Sequence, residues 1–269
     1  MERIDSAANG KIKLAASLHG KKYREASGLF LAEGVRLVEM AVSSGWGIRF
    51  ALCTAAAAEA ERVKKILQHM AAISCPVYEV SEALYRKACG TVTPQGLLLV
   101  MEMCRAALPS LAQEKTPLLL VLDGIQDPGN AGTMIRTADA AGCSGVICLE
   151  NTVDIFADKT VRAAMGSLFY LPIATGIQTA ELLEFLQQHD IRLFVTALDS
   201  TAQPHFSVDY TGPAAMVFGN EGNGVSAQLL TAGQRIYIPM KGKAESLNVS
   251  TAAAVALYEA FRQRSAQQI

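Results

Sequence analysis

Leu118-Leu119-Leu120-Val121-Leu122-Asp123-Gly124-Ile125-Gln126-Asp127-Pro128-Gly129-Asn130-Ala131-Gly132-Thr133-Met134-Ile135-Arg136-Thr137-Ala138 is the stretch on which the fold turns. Its first five residues are apolar without alternation, which reads as a strand covered on both faces. A loop with Pro and Gly follows. Asn130 is then placed to N-cap a helix over 131–141, and Gly142 is placed to end it. Met134, Ile135, Ala138 and Ala141 form one buried stripe. Thr133, Arg136 and Ala140 share another side, since residues three and four apart are neighbours on a helix. Arg136 is therefore expected to point away from the core, toward whatever occupies the strand ends.

The same alternation continues outward. Strands are expected at 145–149, 191–197, 214–218 and 235–238, with helices at 159–168, 181–189, 226–231 and 249–262. This predicts an open parallel sheet with helices on both sides, where ligands bind at the carboxyl ends of strands. Upstream, apolar runs at 29–31, 49–52, 77–78 and 97–100 alternate with helical patterns at 35–42, 59–70 and 82–89. They predict a separate α/β sandwich over 1–105. The polar, Pro-containing segment 106–117 is the expected linker, and 118–269 the second domain.

Composition narrows the class. The chain has 269 residues, 51% hydrophobic and 18% charged, so a sizeable core is expected and disorder is not. The charge-free stretch 163–180 is broken by Gly, Ser, Pro and Thr, so no membrane span is expected. Nor is there an apolar leader at the N-terminus, and the expected compartment is cytoplasmic. Six cysteines include no C-x-x-C pair, and the four histidines do not cluster with them. Buried thiols are expected and a metal site is not. There is no G-x-G-x-x-G after a strand and no Walker A sequence, so dinucleotide binding and phosphoryl transfer have no motif behind them. Net charge is −1, yet residues 1–105 carry +4 and residues 106–269 carry −5. Lys11, Lys13, Lys21, Lys22 and Arg24 concentrate positive charge near the N-terminus. They form either a solvated face or a seat for RNA phosphates.

Two further blocks carry chemistry. Phe218-Gly219-Asn220-Glu221-Gly222-Asn223-Gly224 sets three glycines and a carboxylate in a loop directly after an apolar strand. Ile238-Pro239-Met240 leads through Lys241-Gly242-Lys243-Ala244-Glu245 to Ser246-Leu247-Asn248-Val249-Ser250 at the mouth of an Ala-rich helix. Ser246 and Asn248 are both capable N-caps, and one suffices. Read singly, the three blocks are a helix cap with an exposed arginine, a tight turn and a second cap. Read together they describe a ligand site, without naming its ligand.

Their joint pattern, D-P-G-N-x-G-x-x-x-R-T-A, then F-G-N-E-G-x-G, then I-P-M and S-L-N-V-S, resembles the SpoU branch of the SPOUT RNA methyltransferases over residues 118–264. More loosely, Tyr23-Arg24-Glu25, residues 28–37 and Thr93-Pro94-Gln95-Gly96 resemble the family's substrate-binding domain, a sandwich related to kink-turn-binding ribosomal proteins. The resemblance implies a C-terminal trefoil knot, against generic topology rules. It also implies a homodimer whose site is shared between subunits, and S-adenosylmethionine as cofactor. It implies 2′-O-methylation of RNA, with ribosomal RNA the expected substrate. The alternatives are transfer RNA, or an RNA-binding or ribosome-assembly protein without catalysis. By position, Asn130 and Arg136 match the catalytic pair, supported by Glu221, Ser246 and Asn248. Thr196, Ala197, Gly219, Asn220, Glu221, Gly222, Ile238, Met240, Ser246, Leu247 and Asn248 match the cofactor site.

Overall fold

Strands and helices alternate along the whole chain, as the periodicity predicts. In the computed structural model, which describes residues 1–266, the first part contains β1 (Glu2–Ile4), α1 (Gly10–Ser17), α2 (Lys21–Ser27), β2 (Leu29–Glu33), α3 (Val35–Ser43), β3 (Ile48–Thr54), α4 (Ala55–Ala58), α5 (Glu61–Ala72), β4 (Val77–Val80), α6 (Glu82–Ala88) and β5 (Leu97–Glu102). Then come β6 (Leu118–Asp123), α7 (Pro128–Ala140), β7 (Gly145–Leu149), α8 (Asp158–Ala164), β8 (Ile173–Ile177), α9 (Thr179–Gln188), β9 (Arg192–Thr196), β10 (Gln203–Pro204), β11 (Ala214–Gly219), α10 (Ala227–Ala232), β12 (Gln234–Tyr237) and α11 (Val249–Ser265). The sequence pattern misses β1, α1, α2, α4, β8 and β10. These are short, or, like β8 with Gly176 at φ +71°, interrupted.

These elements form two units. The first is Met1–Cys104 together with Asp154–Phe169; the second is Arg105–Val153 and the chain from Tyr170 onward. In the first unit, a mixed sheet has the order β1-β4-β3-β5-β2. Ile12, Ala15 and Leu18 of the α1 region and Leu84, Tyr85 and Ala88 of α6 pack on Leu31, Leu52, Leu98 and Val100. The segment Asp154–Phe169 brings α8 against β2. Phe156 tilts against Phe30 at 5.1 Å, and Phe169 meets Trp46 edge-on at 5.4 Å. Helix α8 stops at Ala164, short of the expected 168. Met165 and Gly166 turn left-handed, and Gly166 packs on Met40 so closely that a Cβ would lie 2.4 Å from its Cε.

The second unit is a seven-stranded sheet, β10-β12-β9-β11-β6-β7-β8, parallel at every pairing. Period-two alternation splits its core. Leu119, Val121, Ile147, Val195 and Val217 pack with Leu182, Phe185 and Leu186 of α9 and Leu229 of α10. Leu118, Leu120 and Leu122 are buried on the opposite face. Met134, Ile135, Ala138 and Ala141, the stripe read from sequence, are buried as well. Helix α11 lies on α7 and contacts β11. The strand order reverses beside β6: β7 and β8 extend one way, β9 crosses to the other side, and β11 inserts between them. Crevices at such switch points hold ligands.

Segment 106–117 differs from the expected linker. Ala106 N donates to Ile173 O at 2.9 Å. The 3-10 turn Leu108–Ala112 buries Leu108 and Leu111 in the core of the second unit. Its two leucines, three apart on a 3-10 turn, share one side. No helix among the described residues is long and apolar enough to cross a membrane.

Candidate active site

At the carboxyl end of the second unit's sheet, three strand-end loops and the mouth of α11 enclose a cavity of about 600 Å³. The chain leaves β9 through Thr196-Ala197-Leu198-Asp199, β11 through Phe218-Gly219-Asn220-Glu221, and β12 through Tyr237-Ile238 to Met240. Ser246-Leu247-Asn248-Val249 closes the fourth side. Of the expected cofactor residues, Thr196, Ala197, Gly219, Asn220, Glu221, Ile238, Met240, Ser246, Leu247 and Asn248 line this one cavity. Gly222 does not: it sits in the turn above, its N–H donating to Asn220 Oδ1 at 2.9 Å. Leu198, Asp199, Tyr237 and Ala252 line it without having been foreseen. For Asp199 the available signal was its place in the loop directly after an apolar strand.

Local chemistry shapes each wall. Asn220 folds its loop by accepting from Gly222 N and Asn223 N at 2.9 and 3.0 Å, while its Nδ2 donates to Gly124 O at 2.9 Å. Gly219 must be glycine, since a Cβ there would lie 2.2 Å from the Gly224 backbone. Thr196 Oγ1 donates to Val217 O at 2.9 Å, tying the β9 exit to β11.

The helix cap differs from expectation. Asp127, not Asn130, caps α7: its Oδ1 accepts from Asn130 N at 2.8 Å, with Pro128 at the first helical position. The carboxylate reaches three residues ahead, which releases the Asn130 side chain for other bonds. Asn130 Nδ2 donates to Glu221 Oε1 at 2.9 Å, and Asn248 Nδ2 donates to Asn130 Oδ1 at 3.1 Å. Asn248 also caps α11, its Oδ1 accepting from Ser250 N at 2.9 Å and Thr251 N at 3.3 Å. Ser246 is thus not the cap. A chain Asn248–Asn130–Glu221 links all three sequence blocks. Burial alone pushes the Glu221 carboxyl up. The Asn130 amide and the backbone N–H groups of Glu221, Gln126 and Asp127 outweigh it and hold it below the usual carboxylate range.

Arg136 lies two turns further along α7, exposed, with no side-chain partner among the described residues. It is not among the residues lining this cavity. At 1.5 Å per residue the helix carries it roughly 9 Å from Asn130 along the axis.

The expected phosphate-binding cluster divides. Lys13, Lys21 and Lys22 are exposed, and Lys11 stands 4.4 Å over the Tyr78 ring. Arg24 is corrected: it is 3% exposed. Its Nη2 pairs with Asp154 at 2.6 Å, and its Nη1 donates to Leu18 O and His19 O. Helical spacing turns it inward while its neighbours face out. Among the described residues no cluster of His, Cys, Asp and Glu could hold a metal ion. Burial holds the Cys143 and Cys148 thiols at about 12.

Known proteins bear on this geometry. The profile of the SpoU rRNA Methylase family matches residues 117–258, and that of an MRM3-like substrate binding domain matches residues 9–99. The chain is 37% identical, over 96% of its length and 98% of the relative's, to the 23S rRNA (guanosine(2553)-2'-O)-methyltransferase RlmP of Bacillus subtilis. It is 30% identical, over 93% and 88%, to the 23S rRNA (uridine(2479)-2'-O)-methyltransferase of Streptomyces viridochromogenes. The crystal structure of an AdoMet-bound rRNA methyltransferase from Sinorhizobium meliloti superposes with a TM-score of 0.87 at 32% identity, covering 97% of each chain.

Proposed function

Because the chain belongs to the SpoU rRNA Methylase family, we propose that it transfers a methyl group from S-adenosylmethionine to a ribose 2′-hydroxyl of ribosomal RNA. The observation that carries this reading is that the second and third blocks line one cavity and the first is bonded to both beside it through Asn248–Asn130–Glu221. The cavity suits the cofactor. Its volume falls within the ~300–1,000 Å³ of small-molecule sites. Leu198, Ile238, Met240, Leu247 and Val249 offer apolar surface for a purine and a thioether. Residues 238, 240 and 247 lie outside the strand ladders, where backbone groups can meet an adenine edge.

When bound, the sulfonium supplies an already activated methyl group. The protein's task is to align the hydroxyl and stabilise the developing alkoxide. Arg136 serves this as a fixed cation, because a guanidinium does not give up its proton. It orients the ribose hydroxyl and an adjacent phosphate, and the hydroxyl proton leaves to phosphate or water. The Asn130 amide is oriented by its two partners. It keeps one N–H and one lone pair for the ribose. A 2′-hydroxyl as acceptor restricts the substrate to RNA.

The homodimer belongs to this reading. Two observations support it: Arg136 stands outside the cavity of its own subunit, and Val255, Tyr258 and Phe261 form an exposed stripe on α11 beside exposed Phe206. Light scattering should report twice the chain mass, and Tyr258→Asp with Phe261→Asp should reduce it to one. The trefoil knot is supported by the family and by α11 lying on α7. The first unit serves as the substrate-binding domain, supported by the profile matched at 9–99. The compartment is the cytoplasm, where ribosomal RNA is available.

Calorimetric titration with S-adenosylmethionine, and mapping of 2′-O-methyl groups in ribosomal RNA incubated with the protein, test the reading. No heat and no methyl transfer would overturn it. Methylation of transfer RNA alone would overturn the substrate.

A further inference from the structure

Two of the side chains lining the cavity are charged, Asp199 and Glu221, and both are carboxylates. No lysine, arginine or histidine is among the described lining residues. Glu221 is held by neutral donors, Asn130 and the backbone of Gln126. Asp199 differs. Its Oδ1 accepts from Thr201 N and Oγ1 at 2.8 and 2.6 Å, and its Oδ2 pairs with Arg235 Nη1 at 3.0 Å. Arg235 itself stands behind the wall, its Nε donating to Leu230 O at 3.0 Å. The Thr201 bonds and the Arg235 charge hold Asp199 below the usual carboxylate range, so it is ionised at neutral pH.

S-adenosylmethionine and its product share the adenosine and the zwitterionic amino-acid tail. They differ by one methyl group and one positive charge on sulfur. A wall with two anions and no cation discriminates between ligands on that difference alone, because a Coulomb term acts without contact. Resting on the reading of this cavity as the S-adenosylmethionine site, we propose that Asp199 is a specificity residue whose charge, tempered by Arg235, favours the sulfonium over the spent thioether and so favours product release. Asp199 is the informative one of the two carboxylates, because its charge can be changed without touching the Asn248–Asn130–Glu221 chain.

Affinities for S-adenosylmethionine and S-adenosylhomocysteine should be measured side by side on the full chain at constant ionic strength. Asp199→Asn keeps an acceptor for the Thr201 turn, removes the charge and leaves Arg235 uncompensated. It should weaken S-adenosylmethionine by about fivefold, and S-adenosylhomocysteine by less than about twofold, the scale of one screened charge. Arg235→Gln should shift the ratio the opposite way, and Arg235→Lys should leave it near wild type. Melting curves identify any variant that fails to fold, and the Arg235 pair then carries the test. Equal weakening of both ligands by Asp199→Asn would overturn the proposal and make Asp199 an uncharged contact. An unmoved ratio in both Asp199→Asn and Arg235→Gln would overturn it too. Wild-type protein that binds neither ligand would overturn the cofactor reading itself, and this proposal with it.

Discussion

Asp127 takes the cap of α7, and that single bond decides what Asn130 can do. Arg136 needs no such support, being exposed on the same helix. Arg136→Ala should leave the melting temperature and cofactor affinity near wild type while lowering methyl transfer by about a hundredfold or more, the scale of one lost transition-state donor. Single-turnover assays check it, and near-wild-type turnover would remove Arg136 from the mechanism. Arg136→Lys should not rescue, because an ammonium cannot reproduce a planar fork. Asn248 holds two roles that one substitution separates. Aspartate caps a helix about as well as asparagine, but a carboxylate has no N–H to give Asn130. Asn248→Asp should therefore keep stability within about 0.5 kcal/mol of wild type and still lose most activity. If activity and melting temperature fall together, the cap is its whole function.

At the scale of elements, the segment holding α8 is tied to the first unit by charges that sequence alone did not pair. Arg24 and Asp154 lie 130 residues apart and are both nearly buried. Arg24→Ala leaves Asp154 uncompensated and should cost about 3–5 kcal/mol, read by denaturant titration. Changing exposed Lys13, Lys21 and Lys22 to Ala should cost little stability. It should instead flatten the salt dependence of RNA binding, by about one unit of log–log slope for each phosphate that is no longer neutralised. Equal stability effects would contradict this division. His19 makes a second tie. Its Nδ1 meets Asp158 Oδ2 at 2.5 Å and its Nε2 meets Ala88 O at 3.1 Å, so both nitrogens face acceptors. The Asp158 hydrogen bond raises its pKa, against the lowering by burial. A raised folded value means that the contribution is complete below the unfolded pKa of about 6.5. It is lost as pH rises through the folded value. Melting temperature should fall over that window in wild type, and the fall should be smaller in Asp158→Asn. Parallel profiles would refute the tie.

For the whole molecule, the two units are not separable by one cut. A fragment beginning at Arg105 retains the cavity, and Leu108 and Leu111 of its core, but exposes Phe156, Leu168 and Phe169, which are buried in the intact chain. It should bind cofactor yet aggregate at moderate concentration. Replacing those three apolar residues by polar ones should restore solubility without changing cofactor affinity. A fragment that is soluble unaltered would show that the segment does not depend on the first unit. Removing residues up to Thr116 should be worse, because the 3-10 turn goes with them.

Leu118-Leu119-Leu120-Val121-Leu122 declared its strand because five consecutive apolar residues can be stable only where both faces are covered. The stripe on α7 was legible for the same kind of reason, since burial follows a local period. Gly219, Asn220 and Glu221 could be placed at a site because strand-end position and backbone freedom are local properties. Which oxygen Asn130 serves and which aspartate neutralises Arg24 were not legible. Each depends on a partner from about 90 to 130 residues away, and no periodicity reports such distances. The segment Asp154–Phe169 is the plainest case. Its sequence predicts a helix of the second half of the chain, while the apolar surface that covers Phe156 and Phe169 belongs to the first. Local pattern determined which residues had to be buried; only the tertiary fold decided against what, because burial is demanded by a side chain but supplied by its neighbours in space.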